Sequence, residues 1–104
     1  MVARLAPMNF EWDEKKNGEN IRKHGFDFAD AWEVFELPML TIADTREAYD
    51  ENRFVGVGFL RQRVVLIVFA EREDDTIRII SVRKALKHER ERFGEYLRNE
   101  LGAD

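Results

Sequence analysis

The chain has 104 residues, 44% of them apolar and 12 of them aromatic, enough for one domain with a real core and too few for two. There is no cysteine, so disulfides and thiolate metal sites are excluded, and neither a signal-peptide core nor a run of roughly 18 apolar residues is present, so a soluble, cytoplasmic protein is expected. The net charge of −4 gives no support to a general polyanion binder, but the charge is uneven: residues 1–50 hold 6 basic and 11 acidic side chains, residues 51–104 hold 11 and 10.

Phe10 and Trp12 alternate with Glu11 and Asp13, a short edge-strand pattern that ends where Asp13 can cap a helix. The helix that follows, about Glu14 to His24, has mediocre propensity. Gly25 is placed to take a positive φ after it, with Lys23 and His24 in the last turn, where cations suit the helix dipole. Asp27 is a second N-cap; Phe28, Ala31, Trp32 and Phe35 recur at i, i+3, i+4 and i+7, an apolar helical stripe that Pro38 ends.

From Leu40 the pattern changes to β-like runs: LTIAD, RFVGVGFL, RVVLIVFAER and TIRIISVR. The unbroken apolar run Val64 to Ala70 suits a central strand covered on both faces. The Gln62 region and the Glu73-Asp74-Asp75 cluster read as tight connections of an antiparallel meander. After Arg83 a last helix sets Leu86, Phe93, Leu97 and Leu101 along one side, with KHERER exposed. The order β-α-α-β-β-β-β-α is that of a single α+β domain with helices packed on an antiparallel sheet.

No phosphate-cradling glycine loop, HExxH or GxSxG is present. What remains is a set of strand arginines, two histidines and some carboxylates. Alternation along TIRIISVR puts Ile77, Ile79, Ser81 and Arg83 on one face and Arg78, Ile80 and Val82 on the other, so Arg78 and Arg83 do not share a site by face alone. Arg53, Arg72 and Arg83 fall near strand ends, where guanidinium groups can converge on a rim, and their donor fork matches two phosphate oxygens. The competing reading pairs them with Glu51, Glu71, Glu73 or Asp75.

His24, beside Lys23, is suited to moving a proton, or equally to capping helix carbonyls; His88 reads as solvated. Trp12, Trp32, Phe35 and Phe93 read as core. The acidic cluster Glu71, Glu73, Asp74 and Asp75 reads as a turn before it reads as a magnesium site.

Taken in order, FEWDEKKNGENIRKHGFDFADAWEVF, ENRFVGVG, VVLIVFAERE and RIISVRKALKHERERF resemble the BrnT family of bacterial type II toxins from about Phe10 to Tyr96. The most specific pieces are FEWD with Asn20, Lys23, His24 and Gly25, and RIISVRKA at Arg78 to Ala85, where the family usually shows alanine at the position of Val82. The resemblance implies a RelE-like fold and a ribonuclease that stops translation. It also implies a BrnA-type ribbon-helix-helix antitoxin and repression of their shared promoter, with DNA bound only through that antitoxin.

Positions inside the matching blocks that this resemblance makes candidates are Lys23, His24, Glu51, Arg53, Arg72, Arg78 and Arg83. RNA carries its own nucleophile in the 2′-hydroxyl, so cleavage needs a base, cations for the phosphorane and an acid, and no metal or cofactor. His24 or Glu51 would be the base, Arg53 and Arg83 would hold phosphate, and Lys23 or Arg72 would add charge or protonate the leaving group. The rival expectation is a non-catalytic interaction module whose arginines bind an acidic partner.

Overall fold

A computed structural model describes residues 8–49 and 51–102, the side chains of Leu101 and Gly102 excepted. Strand β1 (Asn9–Glu11) leads into helix α1 (Glu14–His24) and a 3-10 helix (Phe28–Glu36). Strands β2 (Leu40–Ala43), β3 (Asn52–Leu60), β4 (Arg63–Arg72) and β5 (Thr76–Lys84) follow, then α2 (Lys87–Leu97) and a last wide turn, Arg98–Gly102. The five strands, α1 and α2 follow the expected order, but the second expected α-helix is a 3-10 helix and a short wide turn follows α2. The sheet runs β1-β5-β4-β3-β2, with β4 in the middle as its unbroken apolar run requires.

The sheet is mixed, which corrects the antiparallel expectation: β1 lies parallel to β5, with Phe10 opposite Ile77 and Glu11 opposite Arg78. Tight hairpins dictate antiparallel pairing for β3-β4-β5, but β1 meets β5 across most of the chain, where no turn fixes direction. Both hairpin turns use left-handed residues, Arg61 in one and Asp74 with Asp75 in the other. Glu73, Asp74 and Asp75 therefore form the turn they were read as, while Glu71 lies within β4.

Two cores flank the sheet. Val65, Ile67 and Phe69 of β4 join Ile77, Ile79 and Val82 of β5 beneath Phe26, Phe28, Ala31 and Val34; on the other face Leu66, Val68 and Val57 pack with Phe93 of α2 and with Ala85 just before it. The alternating glycines of VGVG belong to the first core. A Cβ at Gly56 would lie 2.7 Å from Met39 Sδ and one at Gly58 3.0 Å from Val34 Cγ1, so the 3-10 segment rests almost on the β3 backbone.

The segment Phe28–Glu36 departs from the expected α-helical stripe. Its buried residues are Phe28, Ala31 and Val34, at i, i+3 and i+6, because a 3-10 helix has three residues per turn. The Asp27 carbonyl accepts from the Asp30 N–H, an i→i+3 bond that starts the tighter winding. Trp32, a core residue by the α period, is thereby turned out and is 48% exposed. Phe35 is half-buried, its ring 5.4 Å from Phe10 and 5.0 Å from Phe69. Leu86 is likewise exposed: it is the N-cap residue of α2 and precedes the helical face to which Phe93, Tyr96 and Leu97 belong, while the Leu101 side chain lies outside the described residues.

Helix α1 matches its expected limits. Asp13 accepts from the Lys16 N–H at 3.0 Å, and Gly25, at φ +78°, donates its N–H to the Ile21 carbonyl. Buried Asn17 donates to Asp27 and accepts from the Phe28 N–H, holding the start of the 3-10 helix. Buried Asn20 does more. β1 covers β5 only over Thr76–Arg78, so the outer edge of β5 beyond Arg78 has no strand neighbour. The Asn20 amide takes that place, donating to the Val82 carbonyl at 2.9 Å and accepting from the Val82 N–H at 3.2 Å, with a further 2.9 Å bond to the Phe26 carbonyl.

Asn20→Ala leaves three buried backbone groups without a partner and is expected to lower stability by roughly 2 to 4 kcal/mol. Urea unfolding measures this, and a midpoint equal to wild type would show that the edge does not need the amide.

Candidate active site

The site begins with an irregularity in β5. Val68 stands opposite Ser81 but Phe69 opposite Ile79, so Ile80 is an extra residue, a β-bulge. Beyond it the alternation changes phase. Val82 joins Ile77 and Ile79 in the first core, while Arg83, opposite Leu66, comes to the same face as Arg78, opposite Ala70. The strict two-face reading, which separated Arg78 from Arg83, is corrected by this one residue.

Ala70 is flanked by Arg53 on β3 and Arg78 on β5, and Glu11 of β1 stands next to Arg78, so one row crosses four strands as Arg53, Ala70, Arg78, Glu11. Arg72 lies two residues further along β4, and Glu51 two residues before Arg53. Ala70 is fully buried although it belongs to neither core, because long side chains roof it.

Those charges alternate. Arg53 Nε donates to Glu51 Oε2 at 3.3 Å, Arg72 Nη1 to Glu51 Oε1 at 3.1 Å, and Arg78 Nη1 to Glu11 Oε2 at 3.0 Å, while Arg72 Nε sits 3.4 Å from that same Glu11 oxygen. Three guanidinium groups thus share two carboxylates, leaving one positive charge in excess. An open groove of about 880 Å³ borders this network, lined by Glu11, Tyr49, Glu51, Asn52 and Arg72 and by the acidic β4-β5 turn. Partly exposed ion pairs are worth at most about 1 kcal/mol each, so an incoming anion can exchange with a carboxylate at little cost.

The seven sequence candidates divide. Glu51, Arg53, Arg72 and Arg78 come together. Arg83 stands on the same face four residues along β4, about 13 Å away. Its Nη1 and Nη2 bind Glu89 of α2 at 3.0 and 2.8 Å, and Nη1 also reaches the Lys84 carbonyl. Glu89, which in addition accepts from the Leu86 N–H, has its carboxyl pushed below the ordinary range by the Arg83 bonds. Lys23 and His24 are not part of the cluster. α1 starts beside the Glu11–Arg78 pair, reaches Val82 at Asn20 and ends a turn beyond, at the opposite end of β5; there both side chains are exposed and without hydrogen bonds among the described residues.

Three further residues belong to the site although nothing singled them out. Glu11 was legible only as the polar half of an edge strand. Tyr49 and Asp44 sit in the irregular loop between β2 and β3, where no periodicity reports a side chain's direction. The Arg53 guanidinium lies 4.1 Å above the Tyr49 ring. Asp44, its side chain only 1% exposed, accepts from Arg46 Nε and Nη2 at 2.8 Å each, and its N–H donates to the Arg53 carbonyl at 2.8 Å. It ties the loop to the strand that carries Arg53.

The Arg46 side chain, with its backbone N–H helping and burial opposing, holds the Asp44 carboxyl down at about 2 from an ordinary 3.8. A depressed carboxyl contributes its stabilisation in full above the unfolded value and loses it as pH falls toward the folded one. Loop order is therefore expected to weaken as pH drops from 3.8 to about 2. Amide exchange at Asp44 across that window measures it, and Asp44→Asn should abolish the pH dependence; a window unchanged by that substitution would place the titration elsewhere.

A family model described as the ribonuclease toxin BrnT of a type II toxin-antitoxin system matches residues 12–89. The crystal structure of the Brucella abortus ribonuclease toxin BrnT superposes with a TM-score of 0.60 at 28% identity, covering 78% of this chain and all of that one. A search of curated proteins gave no match. The family match spans Trp12 to Glu89, from the end of the first strand to the glutamate that clamps Arg83, and on that extent the chain belongs to the BrnT family of type II ribonuclease toxins.

Proposed function

We propose that this toxin cleaves RNA without a metal, at the arginine and carboxylate network of β1, β3, β4 and β5, using the 2′-hydroxyl of the substrate as nucleophile. The observation that carries this reading is the alternation of Arg53, Glu51, Arg72, Glu11 and Arg78 on one open sheet face. A phosphodiester undergoing attack gains negative charge on its non-bridging oxygens, and guanidinium groups fixed in advance are suited to hold it. Glu51, between Arg53 and Arg72, is the proposed base. Arg53 and Arg72 bind the reacting phosphate, with Arg72 also protonating the leaving 5′-oxygen or stabilising its charge, and Arg78 supplies charge next to it. Arg83 with Lys23 and His24, at the other end of β5, is assigned to the following stretch of the RNA backbone.

On this reading the chain acts as one RelE-like domain in the cytoplasm and stops translation by destroying RNA. A type II toxin implies an antitoxin. We assign that role to a BrnA-type ribbon-helix-helix protein that covers the arginine face while its DNA-binding region stays free to repress their operon. Because Arg53, Arg72, Arg78 and Arg83 are already paired within the chain, an acidic antitoxin segment would bind by exchanging with Glu11, Glu51 or Glu89.

Cleavage should survive EDTA and leave 2′,3′-cyclic or 3′-phosphate ends; EDTA-sensitive cutting with 5′-phosphate ends would indicate a metal nuclease instead. Glu51→Gln is expected to lower kcat by roughly a hundredfold or more, the usual scale for a lost general base, whereas His24→Ala changes it much less. The reverse ranking would move the chemistry to the C-terminal end of α1.

A further inference from the structure

We propose that Tyr49 is a positioning residue for charge stabilisation at the reacting phosphate, its ring fixing the orientation of the Arg53 guanidinium. This rests on the assignment of Arg53 to the reacting phosphate and adds the residue that makes Arg53 usable. An arginine on a strand has a long, rotatable side chain, and its value at a reacting phosphate depends on how far its plane is set before substrate arrives. Arg53 is restrained at two places. Its Nε is held by Glu51 at 3.3 Å, and its guanidinium carbon lies 4.1 Å over the centre of the Tyr49 ring. Its Nη groups make no hydrogen bond among the described residues, so the edge able to grip two phosphate oxygens is the edge left free.

Tyr49 is itself placed from behind. The buried Asp44 carboxylate fixes Arg46, and the Asp44 N–H is bonded to the Arg53 carbonyl, so the loop that bears Tyr49 is anchored to the residue it serves. Tyr49 borders the 880 Å³ groove together with Glu51 and Arg72, which places it beside the proposed base and the second phosphate ligand. A tyrosine that merely filled a core would have neither neighbour.

The test is a double-mutant cycle between Tyr49→Leu and Arg53→Ala, read as kcat and KM on an RNA substrate. Tyr49→Leu should lower kcat roughly tenfold with little change in KM, since the stack acts on the developing charge rather than on ground-state binding. In the Arg53→Ala background the same change should have no further effect. Tyr49→Phe keeps the ring and should recover most of the lost rate. A general weakening of the loop would lower both backgrounds equally and so cancels in the cycle. Additive losses, or a Phe variant as slow as the Leu variant, would overturn the inference. If Arg53→Ala itself cleaves at the wild-type rate, the phosphate role of Arg53 fails, and this inference with it; a slow Arg53→Ala beside a fast Tyr49→Leu removes only the role of Tyr49.

Discussion

One extra residue in β5 decides what the sheet can present. Without the bulge at Ile80, strict alternation would put Arg83 on the face of Ile77 and Ile79, inside the first core, where an unpaired guanidinium is not tolerated. With it, Val82 enters the core and Arg78 and Arg83 share the other face. The bulge lies where β5 loses β1 as a neighbour, and two residues on, the Asn20 amide takes over the backbone of Val82. The NxxKHG block is therefore structural first: its asparagine closes the edge of β5, and its glycine, at φ +78°, turns the chain out of α1 into the loop whose Phe26 carbonyl Asn20 also holds.

The same sheet explains how an acidic protein carries an arginine-rich face. Each arginine of this face is paired with a carboxylate: Glu51 just before β3, Glu11 of β1 or Glu89 of α2. The pairs hold the guanidinium planes apart and oriented while the excess charge stays small, so the free protein has little long-range attraction for polyanions at physiological salt, where charges are screened within about 8 Å. Local recognition then matters more than net charge. That fits a formal charge of −4 with a site built from Arg53, Arg72 and Arg78.

Much of the fold was legible in the sequence because the signals were local. Asp13, Gly25 and the apolar run of β4 each report a cap, a turn or a buried strand through their own chemistry, and all three stand where expected. What was not legible depends on partners distant in sequence. The direction of β1 is set by β5, more than sixty residues away. The winding of Phe28–Glu36 is set by a three-residue period that differs from the α period by one position per two turns, enough to move Trp32 out and Val34 in. Of the candidate cluster, Glu51, Arg53, Arg72 and Arg78 were singled out through chemistry and resemblance, but their assembly, and the company of Glu11 and Tyr49, needed strand order and the bulge.

The division of the candidates into two groups bears on how a nucleic acid would lie. RNA phosphates follow one another at a spacing of several ångströms, so a chain reaching from Ala70 to Leu66 along β4, about 13 Å, passes two or three of them. The network around Arg53 has free donors, a neighbouring carboxylate and a groove. Arg83, by contrast, is committed through both Nη atoms to Glu89 and so to the first turn of α2. A guanidinium held by a bidentate pair to a partly buried carboxylate is harder to recruit than one touched only at Nε. On the proposed reading the asymmetry favours chemistry at Arg53 and binding at Arg83, and it leaves Lys23 and His24 as exposed side chains at the far end of β5, without the supporting shell that a proton-transferring group requires.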